Sequence, residues 1–378
     1  MNSSNTFKVV FISDIHFGAI KAESLYIQLK QLFLRFLKHN KVDMIVFGGD
    51  LFHNVISMNY NTSYMVLLFM KKLIEISIKN KIKYIRLIQG TMSHDNNQLH
   101  NFHIFENLES IDFKIILNVQ DEKLNNGIKI LYLPEEYIID KKEYYKDYIN
   151  NEKRYDFIFG HGLIDEVAYY AFKQTSENTM SKAPIFKAKE LINSCRGPIY
   201  FGHIHTNTVI RKHIYYPGSF TRWKHGEEKD KGFYVCIYDK NTTKYITKFI
   251  VNDFAPVYKQ IHIEINDNTT TDEIESIVSN IEADNIKLIL DLNTNSSYIV
   301  DYFNSLYKNK NNVKVEVRNI KELKLESNEK EKKKTEEKYD FIFDKSLTRM
   351  EIIQRFIKIK YNVDIPLETI ERELGRGE

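Results

Sequence analysis

Five short apolar runs in this chain each end on a residue of metal-binding type. Asp14 and His16 follow the first, in ISDIHFG; Asp50 follows the second, in FGGDLFH. His94 follows the third, in GTMSHD; His161 follows YDFIFG; His203 and His205 stand in YFGHIHT. A histidine taken alone is more often structural than a ligand, but five placements of the same kind outweigh that expectation. Imidazoles and carboxylates in one set suit manganese, iron or zinc better than calcium. A carboxylate between two cations bridges them and offsets their repulsion, and Asp50 is placed for that. Two ions roughly 3.5–4 Å apart acidify a shared water and hold phosphoryl oxygens during in-line displacement. Gly48, Gly49 and Gly202 let backbone approach such a site closely.

The elements that must position these residues follow from the pattern. FKVVFIS (7–13), VDMIVFGGD (42–50) and 83–89 are short, β-branched apolar runs suited to buried strands. Between them Leu25, Leu29, Leu32, Phe33, Phe36 and Leu37 repeat at helical spacing, and a second helix is expected near 60–79. Strands alternating with helices predict an α/β fold, and ligands in such folds gather beyond the carboxyl ends of strands. Further strands are expected at 128–133, 155–160, 198–202, 208–215, 232–238 and 244–251. The last of these lack intervening helices, which predicts antiparallel hairpins.

Past residue 254 the pattern restarts as a compact βαβαβ unit: YKQIHIEI, TTDEIESIVSNIEA, IKLILDLN, SSYIVDYFNSLYKN and VKVEVRNI. ESNEKEKKKTEEK (326–338) is nearly all charge and reads as a linker or solvated helix. Beyond it, Thr348 and Glu351 form a possible capping box. Met350, Ile353, Phe356 and Ile357 share one helical face, and Pro366 opens a helix carrying Leu367, Ile370 and Leu374. The expected division is 1–253, 254–322, a linker at 323–338 and a helical partner-docking segment at 339–378. Packing of those helices onto the main body is the alternative to docking.

Composition restricts little. With 378 residues, 43% of them hydrophobic, the chain can fill more than one core. A net charge of +3 neither demands nor excludes nucleic acid. Two cysteines, Cys195 and Cys236, suggest buried thiols rather than a disulfide framework. No secretory leader and no apolar run near the ~18 residues of a membrane span is visible, so the reading is of an intracellular, cytoplasmic chain.

The order Asp-x-His, Gly-Gly-Asp, a Gly…His-Asp loop, His-Gly and Gly-His-x-His is similar to the calcineurin-like metallophosphoesterases. GGDLFH, together with YYPGSFTRWKHGEEKDKGFYVCIYD (215–239), resembles the SbcD-type exonuclease subunit of DNA-repair nucleases. The resemblance spans about residues 7–250 by motif and 255–320, as a capping domain, by architecture alone. It implies mixed β-sheets flanked by helices. It implies one metal on Asp14, His16, Asp50 and His205, and a second on Asp50, His161, His203 and a loop amide. It gives His94 the developing charge or leaving oxygen, and His53 a part in positioning DNA, the alternative being a loop cap.

The family loop is Gly-Asn-His followed by an acid; here Thr91, Met92 and Ser93 separate Gly90 from His94. Counted back from the histidine, Ser93 takes the amide's place, a poorer ligand that predicts a weaker second metal or a shell completed by water; Asn96 or Asn97 is the alternative donor. The cofactor implied is a pair of divalent ions, manganese first and magnesium second. The partners implied are DNA, an SbcC-type ABC ATPase with a coiled coil docked through 339–378, and a second copy of this chain through a helix near 60–79. Arg222 and Lys224 are candidates for phosphate contacts. Trp223, the only tryptophan, stacks on a base or packs in the core. Three readings stay open: a two-metal DNA nuclease acting as 3′-to-5′ exonuclease and single-strand endonuclease, a phosphoesterase for small or phosphoprotein substrates, and a non-catalytic DNA-binding subunit.

Overall fold

The computed structural model describes residues 5–57, 61–150, 154–168, 183–266, 268–292, 297–307, 312–319, 348–361 and 364–374. The charged run at 326–338 lies outside them. The chain divides into two compact units, Met1–Lys259 with Ala283–Asn285, and Gln260–Glu282 with Ile286–Glu378.

The first unit contains strands β1 (Thr6–Ile12), β2 (Met44–Gly48), β3 (Tyr84–Ile88), β4 (Asp112–Ile116), β5 (Gln120–Lys123), β6 (Lys129–Leu133) and β7 (Phe157–His161). It continues with β8 (Leu163–Ile164), β9 (Ile185–Phe186), β10 (Ile199–Gly202), β11 (Thr208–Ile210), β12 (Ile214–Tyr216), β13 (Gly232–Asp239) and β14 (Tyr245–Val251). They form two six-stranded sheets, β14-β13-β1-β2-β3-β4 and β11-β12-β10-β7-β6-β5, with β8 and β9 paired apart. The pairs β1–β2, β2–β3, β3–β4, β6–β7, β7–β10 and β10–β12 are parallel; β13 and β14 are antiparallel, as the missing helices predicted.

Alternation along β1 explains why both its faces are apolar. Phe7, Val9 and Phe11 meet Phe157, Phe159 and Tyr200 of the other sheet, with Phe11 stacked 5.3 Å from Tyr200 and 5.8 Å from Phe159. Val10 and Ile12 face helices instead. Those are α1 (Ala22–Gln28), a π-helical continuation at Leu29–Leu34, α2 (Arg35–His39) and α3 (Asn61–Lys79). Leu25, Leu29, Phe33 and Leu37 recur every four residues, wider than the α period of 3.6. The underwound π segment keeps all four on the buried face. On the far side of the second sheet, α5 (Ala188–Ser194), which follows α4 (Lys141–Tyr145), packs Ala188 and Leu191 on Ile158 and Phe201. The result is two mixed sheets face to face, flanked by helices. Cys195 and Cys236 are buried free thiols.

Three details depart from the pattern reading. Strands β4 and β5 were not expected, because DFKII and QDEK expose alternate or most side chains. The run 208–215 breaks into β11 and β12 at Arg211 and Lys212, both at positive φ. A 3₁₀ helix spans Asn96–Phe105.

Largely within the second unit, β15 (Tyr258–Ile265), β16 (Asn285–Leu292) and β17 (Val313–Asn319) build a three-stranded sheet of order β15-β16-β17, with α6 (Thr271–Ser279) and α7 (Ser297–Tyr307) between them in sequence. Thr270 and Glu273 close a capping box on α6. In the tail, α8 (Arg349–Tyr361) and α9 (Leu367–Leu374) are tied by Gln354 Nε2 donating to the Ile365 carbonyl. Thr348 and Glu351 cap α8 reciprocally, at 2.7 and 3.3 Å. Among the described residues no helix is long and apolar enough to cross a membrane.

Candidate metal centre

The carboxyl ends of the parallel strands β1, β2, β3, β6, β7 and β10 deliver the polar residues of one site. Four of them, Asp14, His16, Asp50 and His203, hold positive φ between 51° and 94°. Non-glycine residues rarely adopt that conformation, and its clustering at one place marks a site whose geometry is held by its surroundings. The surroundings are specific. Asp14 N–H donates to the Gly49 carbonyl and His16 N–H to the Asp50 carbonyl, both at 3.0 Å. The buried carboxylate of Asp95 accepts from the backbone of Asp50 (3.0 Å), Phe52 (3.2 Å) and Gly90 (2.8 Å), locking two loops together. Gly49, at φ 92°, and Gly90 leave no room for a side chain: a Cβ would lie 2.3 Å from His161 Nδ1 in the first case and 2.2 Å from Asp50 N in the second.

Besides an all-imidazole group of His16, His53 and His94, whose ligand atoms lie within 4.8 Å of one another, two clusters containing carboxylates result. Asp14, His16, Asp50 and His205 each offer one ligand atom, all within 4.8 Å of one another; so do Glu135, His161 and His203. Asp50 Oδ2 faces both, 3.6 Å from His16 Nε2 and 3.4 Å from His161 Nε2. His16 Nε2 lies 3.1 Å from His205 Nε2, and His205 Nε2 lies 3.7 Å from Asp14 Oδ1. His161 Nδ1 sits 2.7 Å from the Gly48 carbonyl, which can only accept, so Nδ1 carries a proton and Nε2 is the nitrogen turned to the carboxylates, where an ion would displace its proton. Metal-binding histidines are oriented in this way.

The electrostatics make the same demand. Burial disfavours charge on His161, yet Asp50, then Asp14 and Glu135, push its pKa well above the imidazole range. Asp50 is held well below the carboxylate range despite its burial, chiefly by His161 and then His16. Burial, opposed by His161 and reinforced by Asp50, raises Asp14 to about 6. Burial lowers His16 to about 3 and takes His205 well below its usual value, leaving neutral donors. The donor set therefore calls for positive charge between Asp50, His161 and Glu135, and the residues fit divalent ions in oxygen- and nitrogen-rich coordination.

His94 and His53 sit beside the first cluster. The His94 ring is 4.8 Å from His16, edge to face, and stacks 5.5 Å from His53. His94 Nδ1 donates to the His53 carbonyl, which leaves Nε2 as the free ring nitrogen. Trp223 is not in the core: its ring lies 4.6 Å from His16 and 4.8 Å from His205, half-buried at the edge of the site.

Three site residues read differently in space. Ser93 is exposed, and Thr91 occupies the place assigned to it. The N–H groups of His94 and Asp95 both donate to the Thr91 carbonyl, so the extra residues coil outward and the register is counted forward from Gly90. Thr91 N donates to Asp50 Oδ1 at 2.6 Å, and its hydroxyl lies 3.2 Å from Glu135 Oε2 and 3.5 Å from both His161 Nε2 and His203 Nδ1. Glu135 was missed altogether. Its signal was the one used elsewhere, an acidic residue just past a strand, here β6 in LYLPEE. Arg222 is occupied internally: Nε donates to the Glu227 carbonyl at 2.9 Å, and Nη2 to those of Lys229 (3.2 Å) and Glu228 (3.4 Å). Arg222→Ala is accordingly expected to cost about 1–3 kcal/mol of unfolding free energy. Urea denaturation measures it, and an unchanged midpoint would remove this structural role. Lys224 remains exposed.

The sequence profile of the calcineurin-like phosphoesterases matches residues 7–207, more than half the chain and every strand end just described. The chain belongs to the calcineurin-like phosphoesterases. As a member of this family of metal-dependent hydrolases it is a metal-dependent phosphoesterase, with mixed sheets flanked by helices. It is also 38% identical over 58 residues to the double-strand break repair protein MRE11 of Homo sapiens and to that of Macaca fascicularis. That stretch is 14% of this chain and 8% of each relative's length. Two solved structures cover 65% of this phosphoesterase: a hypothetical protein of Thermus thermophilus (98% of that chain, 11% identity, TM-score 0.37) and a phosphatase of Mycoplasma pneumoniae (94%, 14%, 0.35).

Proposed function

We propose that this phosphoesterase is a two-metal DNA nuclease of the SbcD type, cutting duplex ends 3′ to 5′ and single strands internally, with manganese preferred over magnesium. The observation that carries the reading is the pair of ligand clusters sharing Asp50 Oδ2; the MRE11-like stretch supports DNA over other phosphate esters. In this reading Asp14, His16, Asp50 and His205 hold one ion, and Asp50, His161 and His203 the other. Bound divalent ions supply an acidified water and a clamp on the phosphoryl oxygens. The protein's own residues do the rest. Asp50 sets the spacing, Gly48 fixes the His161 tautomer, and His94 presents Nε2 to the leaving oxygen. His53, stacked on His94 with its own pKa lowered by burial and by His94, lines the approach as a neutral ring. Lys224 offers a phosphate contact, and Trp223 an aromatic face for a terminal base.

We further propose the division 1–253 nuclease, 254–322 capping domain, 323–338 linker and 339–378 docking segment for a coiled-coil ABC ATPase, with dimerisation through α3 and action in an intracellular DNA compartment. The test of activity is digestion of end-labelled duplex and single-stranded DNA with manganese or magnesium. Hydrolysis of nucleotides or phosphoproteins without DNA cleavage would move the assignment to the small-substrate reading. Deleting 339–378 is expected to leave cleavage intact and abolish co-purification with the ATPase; a truncated chain that still co-purifies removes the docking role.

A further inference from the structure

We infer that Glu135 is itself a ligand of the second ion and replaces the loop amide that this chain lacks; the inference rests on the ligand assignment proposed above. Thr91 stands where the amide is expected, and its hydroxyl is a weak neutral donor. Directly across from it, Glu135 Oε2 lies 3.1 Å from His203 Nδ1, 3.6 Å from His161 Nε2 and 3.2 Å from Thr91 Oγ1. Glu135 is 2% exposed. No lysine or arginine among the described residues comes within 4 Å of its carboxylate, whose ion-pair partners are those two histidines alone. A carboxylate this buried is costly unless a positive charge faces it.

The side chain is also held in place. Tyr137 donates its hydroxyl to Oε1 at 2.9 Å, and the Glu135 backbone N–H donates to the Gln89 carbonyl at 3.2 Å, next to the Gly90–Thr91 loop. Oε2 is thus the oxygen left for an ion, 3.6 Å from the His161 Nε2 that the Gly48 contact turns into the site. Exchanging a neutral amide for a carboxylate adds one negative charge to the second site. The loss of asparagine therefore does not weaken this site; it makes it more anionic and harder, favouring manganese or magnesium over softer ions. Thr91 becomes a residue that orients the two carboxylates, through Asp50 Oδ1 and Glu135 Oε2.

The test is manganese binding to the full chain, read by isothermal titration and by the electron paramagnetic resonance signal of free Mn²⁺. The parent is expected to bind two ions. Glu135→Ala should weaken the second by about 100-fold or more, at or beyond what removing an outer partner of a ligand costs. Thr91→Asn in the Glu135→Ala background should restore it, because an amide then reaches the same ion from the opposite loop; a carboxylate that merely orients His203 would not be replaced in this way. Glu135→Gln, which keeps shape and removes charge, should weaken the second ion by roughly tenfold, while the metal-free protein melts no lower than the parent. If Glu135→Ala or Glu135→Gln leaves both affinities within about twofold of the parent, or if the double variant folds without regaining the second ion, the inference is overturned. Two tightly bound ions without DNA cleavage would sink the nuclease reading and leave this one standing.

Discussion

Asp50→Ala is expected to abolish manganese-dependent phosphodiester cleavage, lowering kcat/KM by about 10³-fold or more. The reason is its position. Among the described residues Asp50 Oδ2 is the carboxylate oxygen within ion-pair distance of histidines of both ligand clusters, and the residue's removal exposes each ion to the other's charge. It also leaves Thr91 N without its 2.6 Å acceptor, so the loop carrying Thr91 loses its tie to the site. Losing several kcal/mol of transition-state charge stabilisation, about 4, corresponds to ~10³ in rate. Single-turnover cleavage of labelled duplex DNA, with metal stoichiometry measured in parallel, decides the matter. Near-parental rates with both ions still bound would show that the bridge lies elsewhere.

Metal itself is expected to be the largest single stabiliser of the first unit. Asp14, Asp50 and Glu135 bury three carboxylates in one place, and within ion-pair distance, among the described residues, they find only histidines. Four residues there also hold left-handed backbone. Saturating one site at a hundred times its Kd adds about 2.7 kcal/mol. For a unit of this size each kcal/mol moves Tm by roughly 2–4 °C. One ion should therefore raise Tm by about 5–10 °C, two ions more, and a chelator should reverse the shift. Calorimetry with and without Mn²⁺ measures it. An unchanged Tm across saturating metal would mean that these residues form a charge cluster that holds no cation.

Much of the site was legible because strand ends are local signals. Asp14, His16, Asp50, His161, His203 and His205 each follow an apolar run, and parallel strands bring such ends to one edge whatever their separation in sequence. Away from strand ends, residue type no longer reveals position in space. Counting back from His94 points to Ser93, but backbone hydrogen bonds to the Thr91 carbonyl coil Met92 and Ser93 out of the loop. Arg222 looked free for phosphate because nothing in its neighbours' types revealed that four carbonyls, at Glu227, Glu228, Lys229 and Ala255, converge on it. Trp223 looked like core packing, and lies instead against His16 and His205. Strands β4 and β5 escaped because their exposed alternate residues dilute the apolar signal.

The sequence by itself determined the class of chemistry, since carboxylates and imidazoles at the ends of buried strands have little other use together. It also determined the helical and strand faces that bury the core. Only the tertiary structure decided which oxygen stands opposite His161 and His203, because a ligand sphere is closed by distance across loops, and Thr91 and Glu135, 44 positions apart, meet only when β3 and β6 are placed in facing sheets.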